Sequence, residues 1–187
     1  MNGEQSDADL MSRARRGDRD AFAMIVDRYQ NAIVGYAARL TGSRERAEDV
    51  GQETFLKLWS LAPRYDDRGR LPHLLTTIAT NVVRSQERRA RTARLFAPLF
   101  GRNGHGHGST PEREALAGEE GRLVAAALAS VPLAYRAPLV LHEIEGRPIE
   151  EVARILRCAE GTVKSRLHRG RDRMRAVLAA HWNGAGS

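Results

Sequence analysis

A chain of 187 residues, 42% of them hydrophobic, can bury one core or two small ones. Its net charge of +7 and pI near 10.4 point to a polyanionic partner. No apolar run approaches the roughly 20 residues a membrane-spanning helix needs, the start "MNGEQSDADL" lacks a signal-peptide stretch, and the single Cys158 excludes an internal disulfide and a multi-cysteine zinc site, so a cytoplasmic protein without membrane insertion is expected.

The first 95 residues repeat the helical period without strand alternation, which predicts an all-α fold. Ser6 or Asp7 can cap a short helix that stops at Gly17, and Asp18 or Asp20 can begin the next. In that second helix Phe22, Ile25, Val26, Tyr29, Ile33, Tyr36, Ala37 and Leu40 follow 3–4 spacing up to Thr41-Gly42. Ser43 opens a third helix ending at Pro63, with Ala47, Val50, Thr54, Leu58 and Leu61 on one side. Pro72 suits the first turn of a fourth, which runs through Leu75, Ile78, Ala79, Val82 and Val83 into "RSQERRARTAR".

Residues 97–118 break this period with Gly, Pro and Ser and read as a flexible linker. The expected organisation is therefore two small helical domains, 1–96 and 121–182, with 97–120 between them. His105 and His107 lie in the glycine run with no carboxylate or Cys beside them, so no metal is assigned. The second domain ends in "IEEVARIL", where Ile149, Val152, Ala153 and Leu156 form one apolar face, and in a segment with the seam Val163, Leu167, Gly170, Met174 and Leu178. Two short packed helices joined by "RCAEG" have the dimensions of a helix-turn-helix.

Basic charge is concentrated in two places. Arg84 to Arg102 holds six arginines against one glutamate, and Glu160 to Arg175 holds six basic residues against Glu160 and Asp172. With the seam turned inward, the opposite side of the last helix carries Ser165, His168, Arg169 and Asp172, flanked by Lys164, Arg166, Arg171 and Arg173. Arginine can bridge guanine O6 and N7, while Lys, Ser and Thr can bond base edges or phosphates in a major groove that admits one helix.

The blocks "GDRDAF", "AEDVGQETFLKLW", "IATNVVRSQERR" and "IEEVARILRCAEGTVKSRLHRGR" stand in an order and spacing that resembles the extracytoplasmic-function group of bacterial RNA polymerase sigma factors, over nearly the whole chain outside the linker. The resemblance implies a non-catalytic initiation subunit without cofactor. Its partners would be core RNA polymerase, promoter DNA and an anti-sigma factor. Region two of the family, the N-terminal domain, grips the polymerase and opens the minus-ten element. Region four, the C-terminal domain, reads the minus-thirty-five element.

Carried onto this chain, the resemblance implies core-polymerase contacts at Asp49, Gln52, Glu53, Phe55, Leu58 and Trp59. Phe55 and Trp59 stand four apart on one helix side, as interface anchors do, although either ring can instead fill the core. Minus-ten contacts fall on Tyr65 for base stacking, Asn81 for a base edge, and Arg84, Arg88 and Arg89 for phosphates. Minus-thirty-five contacts fall on Lys164, Ser165, His168 and Arg169 for the groove and on Thr162 and Arg166 for phosphates. The chain departs from the family pattern at Gly51, Leu74, Thr80, Arg157 and Ala159. Gly51 is expected to weaken its helix by about 1 kcal/mol relative to Ala. The turn residues Arg157 and Ala159, in place of Gly and a capping residue, cost roughly 1 kcal/mol. Cys158 between them reads as a packed small hydrophobe.

Two other classes fit parts of the chain. A stand-alone helix-turn-helix regulator accounts for residues 121 to 180 but gives the first domain no purpose. An enzyme could be suspected from Glu48, Asp49, Gln52 and Glu53, but these acids have no histidine partner nearby and neighbour basic residues.

Overall fold

The computed structural model describes residues 5–65, 69–96 and 118–184. Among them every regular element is helical: α1 (Asp7–Arg15), α2 (Arg19–Thr41), α3 (Arg44–Leu61), a 3-10 turn (Ala62–Arg64), α4 (Leu71–Phe96), α5 (Glu119–Ser130), α6 (Leu133–Leu139), α7 (Ile149–Leu156) and α8 (Glu160–Gly184). Residues 97–117 of the region read as a linker, with His105 and His107, lie outside the described residues, while Glu119 and Glu120 at its end already belong to α5.

Local chemistry sets the first boundaries. The Ser6 hydroxyl accepts from the Asp9 N–H at 3.2 Å, the Asp18 carboxylate from the Ala21 N–H at 3.0 Å, and the Ser43 hydroxyl from the Arg46 N–H at 3.4 Å. Each satisfies an N–H group that the first turn of a helix leaves unpaired. Gly42, left-handed at φ 67°, ends α2 and donates to the Ala38 carbonyl.

In the N-terminal bundle α2, α3 and α4 pack against one another and α1 lies on α2. Ile25, Leu40, Val50, Leu58, Leu71, Leu75, Val82 and Val83 are fully buried between them. Leu61, which the sequence places on the same stripe, is 44% exposed because α3 ends there and the chain turns away. One polar pair sits in this core. Thr80 donates to the Thr76 carbonyl at 2.7 Å, so the Tyr36 hydroxyl, 2.7 Å away, is the donor to Thr80. Burial pushes the Tyr36 phenol far up and keeps its proton in place.

The C-terminal bundle packs α6, α7 and α5 against α8. Periodicity alone does not signal the break at the end of α6. Pro138 has no N–H to continue the α ladder, and Val140–Ile144 forms a wider π turn closed by the Glu145 N–H on the Val140 carbonyl at 2.9 Å. Gly170 allows the closest approach in this half. A Cβ there would stand 2.8 Å from Leu139 Cδ1 and 3.2 Å from the Tyr135 carbonyl, so α8 could not seat on α6 with any larger residue. The Arg173 guanidinium covers the Tyr135 ring at 5.2 Å beside this contact.

Candidate functional site

Three surfaces result from this packing. The first is an open groove of about 840 Å³ between α2 and α3. Phe22, Val26 and Val34 come from α2 and Phe55, Leu56 and Trp59 from α3, with Arg19, Arg44, Glu48 and Gln52 among the polar residues around them. Phe22 and Trp59 meet edge to face at 4.9 Å between ring centres, which holds the half-buried indole at the groove wall. Leu56 is 68% exposed there and adjoins Phe55 and Trp59 in one apolar patch.

Of the six residues proposed for polymerase contact, Gln52, Phe55 and Trp59 line this groove and Asp49, Glu53 and Leu58 do not. Asp49 and Gln52 are exposed, Trp59 is half-buried, and Phe55 is buried but still lines the groove. Glu53 is half-buried and tied inward: Lys57 Nζ donates to it at 2.6 Å and Gln86 of α4 at 3.4 Å. The Lys57 hydrogen bond holds its carboxyl below the usual range. Leu58 is a correction. It has no exposed surface and stands on the stripe of Val50 and Thr54, so it supports the helix from inside. Its own periodicity already placed it there. Leu56 is the residue sequence reasoning missed, and its signal was an apolar side chain off the core stripe.

Gly51 also has a packing role. A Cβ at this position would stand 2.9 Å from Val34 Cγ2, inside van der Waals contact, so the glycine lets α3 approach α2 at the base of the groove.

The second surface is α4 with the turn before it. Tyr65 is half-buried and packs on the core at the end of the 3-10 turn, while residues 66–68 of the same loop lie outside the described residues. Asn81 is half-buried, and Arg84, Arg88 and Arg89 are exposed, with 81, 84 and 88 on one side of the helix. Thr80 is committed to the core and Leu74 is half-buried. Exposed Arg84 also donates from Nη1 to the Leu156 carbonyl at the end of α7, 3.1 Å away.

The third surface is the helix-turn-helix, α7 and α8. Arg157 ends α7 in the left-handed conformation at φ 52°, ψ 54°, and the Cys158 N–H returns to the Ala153 carbonyl at 3.0 Å. The Ala159 carbonyl accepts from Thr162 and Val163 and starts α8 without a side-chain cap. Cys158 is half-buried against the core, with Arg166 Nη1 3.8 Å from its sulfur. Val163, Leu167 and Gly170 face inward, as the seam requires. Lys164, Ser165, His168 and Arg169 are exposed together, with Thr162 and Arg166 half-buried beside them. His168 Nε2 lies 3.4 Å from Asp172, which also pairs with Arg175 at 3.0 Å. Arg171 turns away to Glu143 in the π turn. Lys164, Ser165, His168 and Arg169 therefore share an exposed side of the first turns of α8.

Among the described residues no cluster of three His, Cys, Asp or Glu could hold a metal ion, and no helix is long and apolar enough to cross a membrane.

Comparison with known proteins matches residues 25–93 to sigma-70 region 2 and residues 121–174 to sigma-70 region 4. The chain is 31% identical over 176 residues to the ECF RNA polymerase sigma factor SigW of Bacillus subtilis, covering 90% of this chain and 94% of that protein. It is 31% identical over 180 residues to the ECF RNA polymerase sigma-E factor of Haemophilus influenzae, covering 92% and 95%. Among solved structures it resembles the sigma factor RpoE in complex with the anti-sigma factor NepR from Bartonella quintana, with a TM-score of 0.67, 26% identity, and 84% and 96% of the chains covered. CnrH in complex with the cytosolic domain of CnrY gives 0.65 and 26%, covering 94% and 99%.

Proposed function

The chain belongs to the extracytoplasmic-function group of RNA polymerase sigma factors, and we propose that it works as one through the three surfaces described. It binds core RNA polymerase and directs promoter recognition, DNA melting and transcription initiation in the cytoplasm. Sigma factors are non-catalytic initiation subunits, and no reaction step or cofactor is assigned to this chain. The observation that carries the reading is the presence in one chain of an apolar groove on the first bundle and an exposed basic face on the second helix of a helix-turn-helix.

Residues 1–96 act as region two, 97–120 as the connection and 121–182 as region four. Core polymerase covers the α2–α3 groove, where Leu56, Phe55 and Trp59 supply apolar area and Gln52 part of the polar rim, and reaches Asp49 and Glu53 on the adjoining side of α3. At the minus-ten element the cost of extruding a base, a few kcal/mol, is offset by stacking on Tyr65 and edge hydrogen bonds from Asn81, while Arg84, Arg88 and Arg89 hold phosphates. At the minus-thirty-five element Arg169 bonds a guanine edge, Lys164, Ser165 and His168 contact neighbouring bases, and Thr162 and Arg166 fix the helix on the phosphates. RpoE and CnrH were solved bound to NepR and the cytosolic domain of CnrY, and this chain is proposed to have an anti-sigma partner of its own.

The test is selection of DNA from a random pool by the chain reconstituted with core polymerase. Two sequence blocks at fixed separation are expected. Equal selection of a single inverted repeat by the chain alone would support the stand-alone regulator instead.

A further inference from the structure

The turn of the helix-turn-helix carries a backbone strain that the fold itself does not require. Among the described residues the left-handed positions Gly17, Gly42, Gly69 and Gly146 are all glycine, and Arg157 is the exception. A side chain in that region crowds its own backbone, a cost glycine avoids. Nothing inside the fold offsets it. Arg157 is exposed, and among the described residues its guanidinium has no hydrogen-bond or ion-pair partner; only its N–H is bonded, to the Arg154 carbonyl at 3.3 Å. A strained residue with no internal partner points to a contact outside the fold.

Arg157 stands beside the reading surface. Glu150, Arg154 and Arg157 follow one exposed side of α7 at i, i+4 and i+7, and with Glu160, the first residue of α8, they line one open hollow of about 620 Å³. Cys158, next in the chain, has its sulfur 3.8 Å from Nη1 of Arg166, so the turn brings Arg157 near a guanidinium already proposed for phosphate. In a helix-turn-helix the first helix crosses the DNA backbone while the second enters the major groove by its N-terminal turns. With Lys164, Ser165, His168 and Arg169 in the groove, the end of α7 and the turn therefore lie at the groove's edge, where the phosphates run. Two acids share the hollow without pairing with Arg157. Glu150 and Glu160 lie in the first turns of α7 and α8, where a carboxylate complements the helix dipole.

We propose that Arg157 binds a backbone phosphate of the minus-thirty-five element, forming with Arg166 a clasp at the edge of the major groove, and that the left-handed turn is kept at Arg157 because it carries this side chain to the DNA. The clasp rests on the reading of α8 as the minus-thirty-five surface. A phosphate contact carries no base information, so Arg157 raises affinity for every sequence alike. It also adds about 0.9 to the salt slope, so the deficit left by its loss should shrink about three- to four-fold between about 50 and 200 mM salt.

The experiment titrates the full chain, without polymerase, into a fluorescent duplex of mixed sequence and about 20 base pairs, and records the thermal unfolding of each variant. Arg157→Gly should raise the melting temperature and yet weaken duplex binding about five-fold at about 50 mM salt, a combination that loss of structure does not produce. Arg157→Gln keeps a side chain in the left-handed turn without its charge and should weaken binding as much, whereas Arg157→Lys should stay within about two-fold of wild type. Joined to Arg166→Ala, Arg157→Gln should lower the salt slope by about two. Wild-type affinity for Arg157→Gln beside a loss for Arg166→Ala would overturn the role of Arg157 alone, and so would a deficit that does not change with salt. Wild-type affinity for both would overturn the α8 surface together with the clasp. Co-elution of the wild-type chain with core polymerase, run alongside, judges the sigma-factor reading separately: its failure would refute that reading without altering the duplex result.

Discussion

Leu56 and Leu58 are two residues apart on α3 and separate docking from folding when each is truncated to Ala. Leu56 is 68% exposed over the groove and Leu58 has no exposed surface. Fully burying a leucine is worth about 1.5–3 kcal/mol, so covering the exposed part of Leu56 contributes about 1–2 kcal/mol, or about 5–30-fold in Kd. Leu56→Ala should therefore weaken binding of the labelled chain to core polymerase, read by fluorescence anisotropy, by a factor in that range while its melting temperature barely moves. Leu58→Ala should lose about 2.7–5 kcal/mol of stability through the cavity it leaves, lowering the melting temperature by roughly 10 °C or more. Measured well below that transition, its polymerase affinity should equal wild type. Unchanged affinity for Leu56→Ala, or a larger docking loss for folded Leu58→Ala, would refute the groove as the docking surface.

Arg157→Gly relieves the left-handed backbone at the turn and should stabilise the C-terminal bundle by about 1 kcal/mol in thermal unfolding. Gly51→Ala should destabilise by about 1 kcal/mol because the overlap with Val34 outweighs the gain in helix propensity, and the same change made with Val34→Ala should reverse its sign relative to Val34→Ala alone. Arg169→Ala should cost about 1–3 kcal/mol at one position of the minus-thirty-five element, whereas Arg166→Ala should weaken all sequences alike and lower the salt slope by about one. Burial raises the Glu151 carboxyl, but hydrogen bonds from His73 and Arg147 outweigh it, and Glu53 is lowered by Lys57. Folded-state values below the ordinary range near about 4.3 mean stability that is present above that range and lost as pH falls through it, so melting temperature should hold from pH 7 to about 5 and decline below about 4. Glu53→Gln should make that decline shallower.

The helices were readable because their boundaries are local: Ser6, Asp18 and Ser43 accept from their own first turns, and Val163, Leu167 and Gly170 repeat a period any solvent boundary enforces. The basic face of α8 was readable for the same reason, since fixing the inner seam fixes the outer side. The features that escaped the sequence depend on neighbours distant along the chain. Gly51 looks like a weak helix residue until Val34 is placed beside it. Thr80, notable only as a departure from a basic residue, is the partner of Tyr36, 44 residues earlier. Nothing near Arg84 in the chain signals its hydrogen bond to the Leu156 carbonyl, 72 residues later.

The central claim is met most directly by mapping transcript 5′ ends made by core RNA polymerase with and without this chain, on templates carrying the DNA it selects. The account predicts a single defined start a fixed distance downstream of the selected element, appearing only when the chain is present and lost with Arg169→Ala unless the minus-thirty-five sequence is changed to suit. Starts that are unaltered by the chain, despite DNA binding by the chain alone, would contradict it.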